Sequence, residues 1–146
     1  TSMIEASMMV NDQMPEYCME RAADILNRRL SKALHGAKVL LCGISYKQDI
    51  DDCRESPAIR VYEQLLSEGA QISCYDPYVK SFRSAGKTID VSQTLNAKDI
   101  EAADIVIITA AHTKVDYELI QKHAKVIFDT KNVMKNITER GNIEVL

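Results

Sequence analysis

Between Gly43 and Pro57 the chain gathers many of its side chains able to do chemistry: Tyr46 beside Lys47, the acids Asp49, Asp51 and Asp52, the Cys53 thiol, Arg54 and Ser56. A flat aromatic next to a compact cation, with a guanidinium seven residues on, suits a nucleotide or a phosphorylated sugar. The ring packs on the ligand while the cations meet phosphate oxygens or hydroxyls. A solvated polar loop is the competing interpretation, and residue types alone leave both open. The three acids have the chemistry of a hard-cation cluster, but a solvated acidic face is the expectation and no metal is assigned.

Around this segment the text alternates between two periodicities. "KVLLCG" (38–43), "QISCYD" (71–76), "DIVIIT" (104–109) and "KVIFD" (125–129) are short continuous apolar runs, as expected of strands buried on both faces. Between them lie helical patterns at Pro57 to Glu68, near Ser92 to Ile100, and at Asp116 to His123. Tyr78 to Gly86 is ambiguous, Thr88 to Val91 reads as a short strand, and "NIEVL" closes the chain as an extended piece. Strand–helix alternation predicts an α/β fold, a Rossmann-like parallel sheet with helices on both faces. A long helix is expected ahead of it, from 14 to 34, with apolar Met14, Cys18, Ala22, Ile25 and Leu26 on one face and His35-Gly36 as its stop. An earlier start near Ile4 would place Pro15 inside the helix, where it would kink. Met3, Ile4, Met8, Met9 and Val10 have no evident partner within the chain and are expected to contact something outside it.

In an open parallel sheet, ligands sit beyond the carboxyl ends of the strands, so the crossover after "KVLLCG" is the prime candidate site. Ser56 is placed to cap the following helix, with Pro57 at its first position. A dinucleotide loop would need G-x-G-x-x-G, whereas this crossover offers only Gly43 and is too long for that tight turn. Asp76-Pro77 is accordingly read as a strand-ending turn rather than a ribose-binding acid. His112 and Lys114 fall on the same carboxyl edge, where a structural or solvated role is expected. His35 reads as a helix stop, and His123 ends a short helix.

Bulk properties narrow the class. With 146 residues and a net charge of −3, the chain makes one ordinary domain with no electrostatic case for nucleic acid or an anionic membrane. No apolar run approaches the roughly 18 residues a span requires. Cys18, Cys42, Cys53 and Cys74 show no C-x-x-C spacing and are expected to be idle thiols in a reducing, cytoplasmic setting. The opening Thr-Ser-Met lacks a natural initiation context, and a fragment is expected.

The stretch "GISYKQDIDDCRESPAIRVYEQLLSEGAQISCYDPYV" closely resembles the C-terminal, UDP-binding domain of the UDP-glucose/GDP-mannose dehydrogenase family, with its G-x-x-[YF]-K, R-E-S-P and Y-D-P blocks. Upstream, "NDQMPEYCMERAADIL" resembles the helix leading out of that family's central dimerisation region, and "VDYELIQKHAKVIFDTKN" resembles the part ending in D-[GT]-R-N. The variable middle, Lys80 to Lys98, adds nothing. The resemblance implies residues 1–35 from the central dimerisation and linker helix and residues 36–146 as the UDP-sugar-binding domain. It implies a homodimeric enzyme that oxidises the C6 alcohol of a nucleotide sugar to a uronate with NAD, supplying a surface polysaccharide. "MPEY", "VDYELI", "HAK" and "DTKN" lean toward UDP-N-acetylhexosamines.

By the same resemblance, Tyr46 and Lys47 match the pair that contacts the UDP-sugar, and Arg54 matches the arginine that reaches NAD. Lys131 stands where the family carries a sugar-contacting arginine, a departure because lysine lacks the planar bidentate fork. The family's NAD-binding glycines and its G-x-C-[LI]-P cysteine are not in this sequence, and Cys53 does not replace the latter. No residue is therefore assigned to catalysis, and the chain alone is expected to have no dehydrogenase activity. The alternatives are a stand-alone nucleotide-sugar-binding module and a purely structural dimerisation domain.

Overall fold

The structure, a computed structural model, describes residues 3–46, 48–49, 53 and 56–146, with side-chain surroundings in the first helix from Met14 onward. The elements are α1 (Met3–Leu30), β1 (Lys38–Cys42), α2 (Pro57–Ser67), β2 (Gln71–Tyr75), β3 (Ser81–Ser84), β4 (Lys87–Asp90), α3 (Ala97–Ala102), β5 (Ile105–Ile108), α4 (Tyr117–His123), β6 (Ile127–Asp129) and β7 (Ile143–Val145). Five strands form one parallel sheet in the order β2-β1-β5-β6-β7. The fold is α/β and Rossmann-like, as the alternating pattern predicts.

Pleating explains why the central runs are apolar at every position. Val39, Leu41, Ile105, Ile107 and Phe128 face α1 and α2, and pack on Cys18, Ala22, Ile25, Leu26, Val61 and Leu65. Their neighbours Leu40, Cys42, Val106, Ile108 and Ile127 face the other way, onto Ile100 of α3 and Ile120 of α4. Successive strand side chains point to opposite faces, and both faces here are covered by helices. No helix among the described residues is long and apolar enough to cross a membrane.

Several boundaries differ from the sequence expectation. α1 begins before residue 14 and ends at Leu30 rather than at His35-Gly36. Ser31 turns to φ 52°, and the N–H groups of Ser31 and Lys32 reach back to the carbonyls of Asn27 and Leu26, closing the last turn early. Pro15 lies inside the helix. The helix expected from Ser92 starts only at Ala97, capped by Asn96, whose side chain accepts the Asp99 N–H. Ser92 instead pairs with the end of β2: its N–H donates to Cys74 O and its carbonyl accepts from Asp76 N–H. The ambiguous stretch supplies β3, which with β4 forms a separate antiparallel hairpin turning at Ala85 (φ 51°) and Gly86 (φ 76°).

Arg28 and Arg29, at the end of α1 where a helix dipole favours cations, are committed to a long-range partner. Arg28 Nη2 and Arg29 Nε each bond the Glu144 carboxylate of β7, at 2.8 and 2.7 Å. Arg21 donates to Val145 O at 3.0 Å, and Arg29 Nη1 to Gly141 O at 2.6 Å. Burial works to raise the Glu144 pKa, but the two guanidinium contacts hold it below the ordinary glutamate value.

Candidate functional site

Loops leaving β1, β5 and β6 meet α1, the start of α2 and β3 around an open cleft of about 1150 Å³. Tyr46 borders it, half exposed at 53%, immediately beyond β1. Lys131 borders it beyond β6, and Thr109 beyond β5. Arg60 on α2 and Arg83 on β3 supply two further cations, while Met14, Cys18 and Phe82 give the wall apolar patches. Among the described lining residues there is no aspartate or glutamate, in a chain whose net charge is −3. The cleft thus concentrates positive charge where an open α/β sheet presents its ligand site. It is suited to an anionic ligand with an aromatic or sugar face.

The structure therefore brings together two of the residues singled out from sequence, Tyr46 and Lys131. The other two, Lys47 and Arg54, lie outside the described residues, as do Asp51 and Asp52. Asp49 is described, and the expectation of a merely solvated acid fails for it. Its backbone sits at φ 61°, and its carboxylate accepts the Thr113 N–H at 2.8 Å and the Thr113 hydroxyl at 3.0 Å. The Thr113 backbone bond foremost, despite some burial, holds that carboxyl below the ordinary aspartate value.

Each lining loop has a local reason for its course. Ser56 caps α2 by accepting the Ala58 N–H, and its hydroxyl donates to Ile44 O at 2.6 Å, so the helix start and the exit of β1 are joined. Gly43 takes φ 102° and lies against Ala110. The buried Asp129 carboxylate accepts the N–H groups of Lys131, Val133 and Met134, which folds the turn carrying Lys131 back onto the strand end.

Asp76 is the hub of the edge. Fully buried, it accepts the N–H groups of Ile44 (2.7 Å), Ser45 (3.1 Å), Tyr78 (2.7 Å) and Val79 (3.1 Å), and contacts His112 Nε2 at 3.0 Å. Asp76-Pro77 does end the strand, as read from sequence. Its carboxylate also ties two loops together and is sealed from any ribose. His112 is buried too, which settles a structural over a solvated role for it. Sequence reasoning missed the organising work of Asp76, Asp129 and His112.

Three of the four thiols, Cys18, Cys42 and Cys74, are buried and held protonated, while Cys53 is partly exposed on the cleft wall. Burial pushes Cys18 up to about 11 despite the Lys131 and Arg21 charges nearby, and pushes Cys74 up to about 12. All four cysteines are unpaired, and Cys42 is also raised by burial.

Residues 40–136 match the UDP-binding domain of the UDP-glucose/GDP-mannose dehydrogenase family. The chain belongs to that family. Similar to it, at 33% identity over 98% of this chain, is a UDP-N-acetyl-D-mannosamine dehydrogenase of Methanocaldococcus jannaschii. Among solved structures, the UDP-N-acetyl-mannosamine dehydrogenase Cap5O from S. aureus superposes with a TM-score of 0.72 at 31% identity, covering 94% of this chain and 32% of that one. The NDP-N-acetyl-D-galactosaminuronic acid dehydrogenase of Methanosarcina mazei Go1 gives 0.74 at 26% identity, covering all of this chain and 31% of its own. The chain spans about a third of the length of the curated relatives it matches. Within the family it corresponds to the C-terminal UDP-binding domain.

Proposed function

We propose that this chain is the UDP-sugar clamp of an NAD-dependent nucleotide-sugar 6-dehydrogenase, acting on a UDP-N-acetylhexosamine. The observation that carries the proposal is a cleft with no aspartate or glutamate among its described lining residues, with Tyr46 and Lys131 on its rim and Arg60 and Arg83 beside them. Lys131 meets a diphosphate or sugar oxygen as a point charge, and Tyr46 packs on the nucleotide. By the family resemblance, Lys47 shares the role of contacting the UDP-sugar and Arg54 that of contacting NAD. The UDP-N-acetyl-D-mannosamine dehydrogenases among the relatives support the choice of sugar. We place the parent enzyme in the cytoplasm as a homodimer, with residues 1–35 joining its central helix and its uronate product feeding a surface polysaccharide.

The β1 turn of this chain does not fit a dinucleotide. A pyrophosphate needs open space over a glycine backbone, but at Gly43 that space is taken by Ala110, whose N lies 2.6 Å from where a Cβ would sit. NAD therefore belongs to other parts of the proposed enzyme. This chain's work is to bind and orient the nucleotide sugar.

Titration of UDP into the purified chain tests the assignment. Saturable binding is expected, and Lys131→Ala should weaken it about ten- to a hundredfold, the loss of one charge-assisted contact. Lys131→Arg, which restores the usual family residue, should bind as well as the wild type or better. Absence of UDP binding would overturn the proposal. If Lys131→Arg binds severalfold more weakly, the pocket is built around lysine rather than tolerating it.

A further inference from the structure

Three loops at the carboxyl edge converge on one buried imidazole that does not line the cleft. His112 Nδ1 lies 2.8 Å from the backbone N of Asp49. A backbone N–H can only donate, so Nδ1 is the unprotonated nitrogen and the ring's hydrogen sits on Nε2. Nε2 is 3.0 Å from Asp76 Oδ2 and 2.9 Å from Ser45 Oγ. Tyr78 packs on the ring at 5.0 Å, and the Tyr117 hydroxyl donates to the His112 carbonyl at 2.6 Å. One side of the ring thus grips the loop after β1 at Asp49. The other grips the carboxylate that holds the same loop at Ile44 and Ser45.

We propose that His112 is a positioning residue for nucleotide binding: by holding the backbone at Asp49 and the side chain of Ser45 it fixes where Tyr46 stands on the cleft. The inference rests on the UDP-binding reading of that cleft. Binding groups on loops are only as well placed as the bonds supporting them, and a displacement near 1 Å is enough to lose a contact. The acceptor at Nδ1 is the operative feature, because Asp76 already holds Ile44 and Ser45 without help.

Two amides separate the roles of the two ring nitrogens. Asparagine puts an acceptor oxygen near the position of Nδ1, and glutamine puts a donor near that of Nε2. In the full chain, His112→Gln and His112→Ala should weaken UDP binding about tenfold, while His112→Asn stays within about threefold of the wild type. Amide hydrogen exchange at Asp49 should follow the same order, slow in the wild type and His112→Asn and fast in His112→Gln. Equal weakening by all three variants would mean that the ring matters only as packing and would overturn the proposal, as would wild-type affinity in His112→Gln. Should the wild-type chain bind no UDP, the nucleotide reading fails. Asp49 exchange would then decide whether His112 holds the loop at all, and fast exchange in the wild type would remove the latch itself.

Discussion

Asp76→Ala is expected to destabilise the protein by about 3–5 kcal/mol, because the buried N–H groups of Ile44, Ser45, Tyr78 and Val79 lose their acceptor and cannot reach water. Small domains are stable by only about 5–15 kcal/mol, so the loss should lower the melting temperature by roughly 10 °C or more. Asp76→Asn keeps the shape but aims an NH2 group at N–H donors on one side, and should cost nearly as much. Chemical denaturation of both variants checks this, and a change under about 1 kcal/mol would refute the hub. The acid limb gives a second reading. Burial alone would raise the Asp76 pKa, but the bonds from Ile44, Tyr78 and Ser45 and the His112 contact hold it below the ordinary aspartate value. A depressed folded pKa contributes stability above the unfolded value of about 3.9, which is lost as pH falls through the lower folded value. Wild-type stability should therefore fall below about pH 4, and Asp76→Ala should flatten that decline. Glu144 and Asp104, shifted in the same direction, keep part of the slope in the variant.

Gly43→Ala is the second severe substitution, with an expected cost of about 3–5 kcal/mol. At φ 102° an L-residue is strained, and the new Cβ would stand 2.5 Å from Ala110 Cβ and 2.6 Å from Ala110 N. Backbone of a central loop cannot withdraw as a flexible side chain would. Gly86→Ala isolates the torsional part, because Gly86 has φ 76° and nothing within 4 Å of its missing Cβ. That control should cost only about 1–2 kcal/mol. Comparable losses from the two substitutions would show that crowding at Ala110 is not what requires the glycine.

The sheet was legible because burial on both faces demands continuous apolar runs, and "VLL" and "IVII" supply them. The start of α2 was legible because Ser56-Pro57 combines a cap with a residue whose missing N–H costs nothing there. What sequence could not give is where backbone N–H groups converge. Every residue except proline carries one, so an acceptor such as Asp76 or Asp129 leaves no signature in its donors' identities. The β3–β4 turn was hidden for another reason: Ala85 occupies a positive-φ position that asparagine, aspartate or glycine usually marks. Ser92 looked like a helix start, yet the open end of β2 took its backbone first. Of the candidate site residues, Tyr46 stood out by its chemistry. Lys131, a lone lysine in a loop, entered only through the family resemblance.

The bonds between α1 and Glu144 carry a consequence for synthesis. Arg28 is 116 residues away from its partner carboxylate. At about 5–20 residues per second, a ribosome would add Glu144 roughly 6–23 s after Arg28. Through that interval α1 lacks the Glu144 carboxylate that fastens its end to β7, and the strands it covers arrive piecemeal. Nascent chains stalled before Glu144 should leave α1 open to proteolysis, and chains extended past it should protect the helix. A helix equally protected in both would mean that α1 docks without waiting for the strand that anchors it.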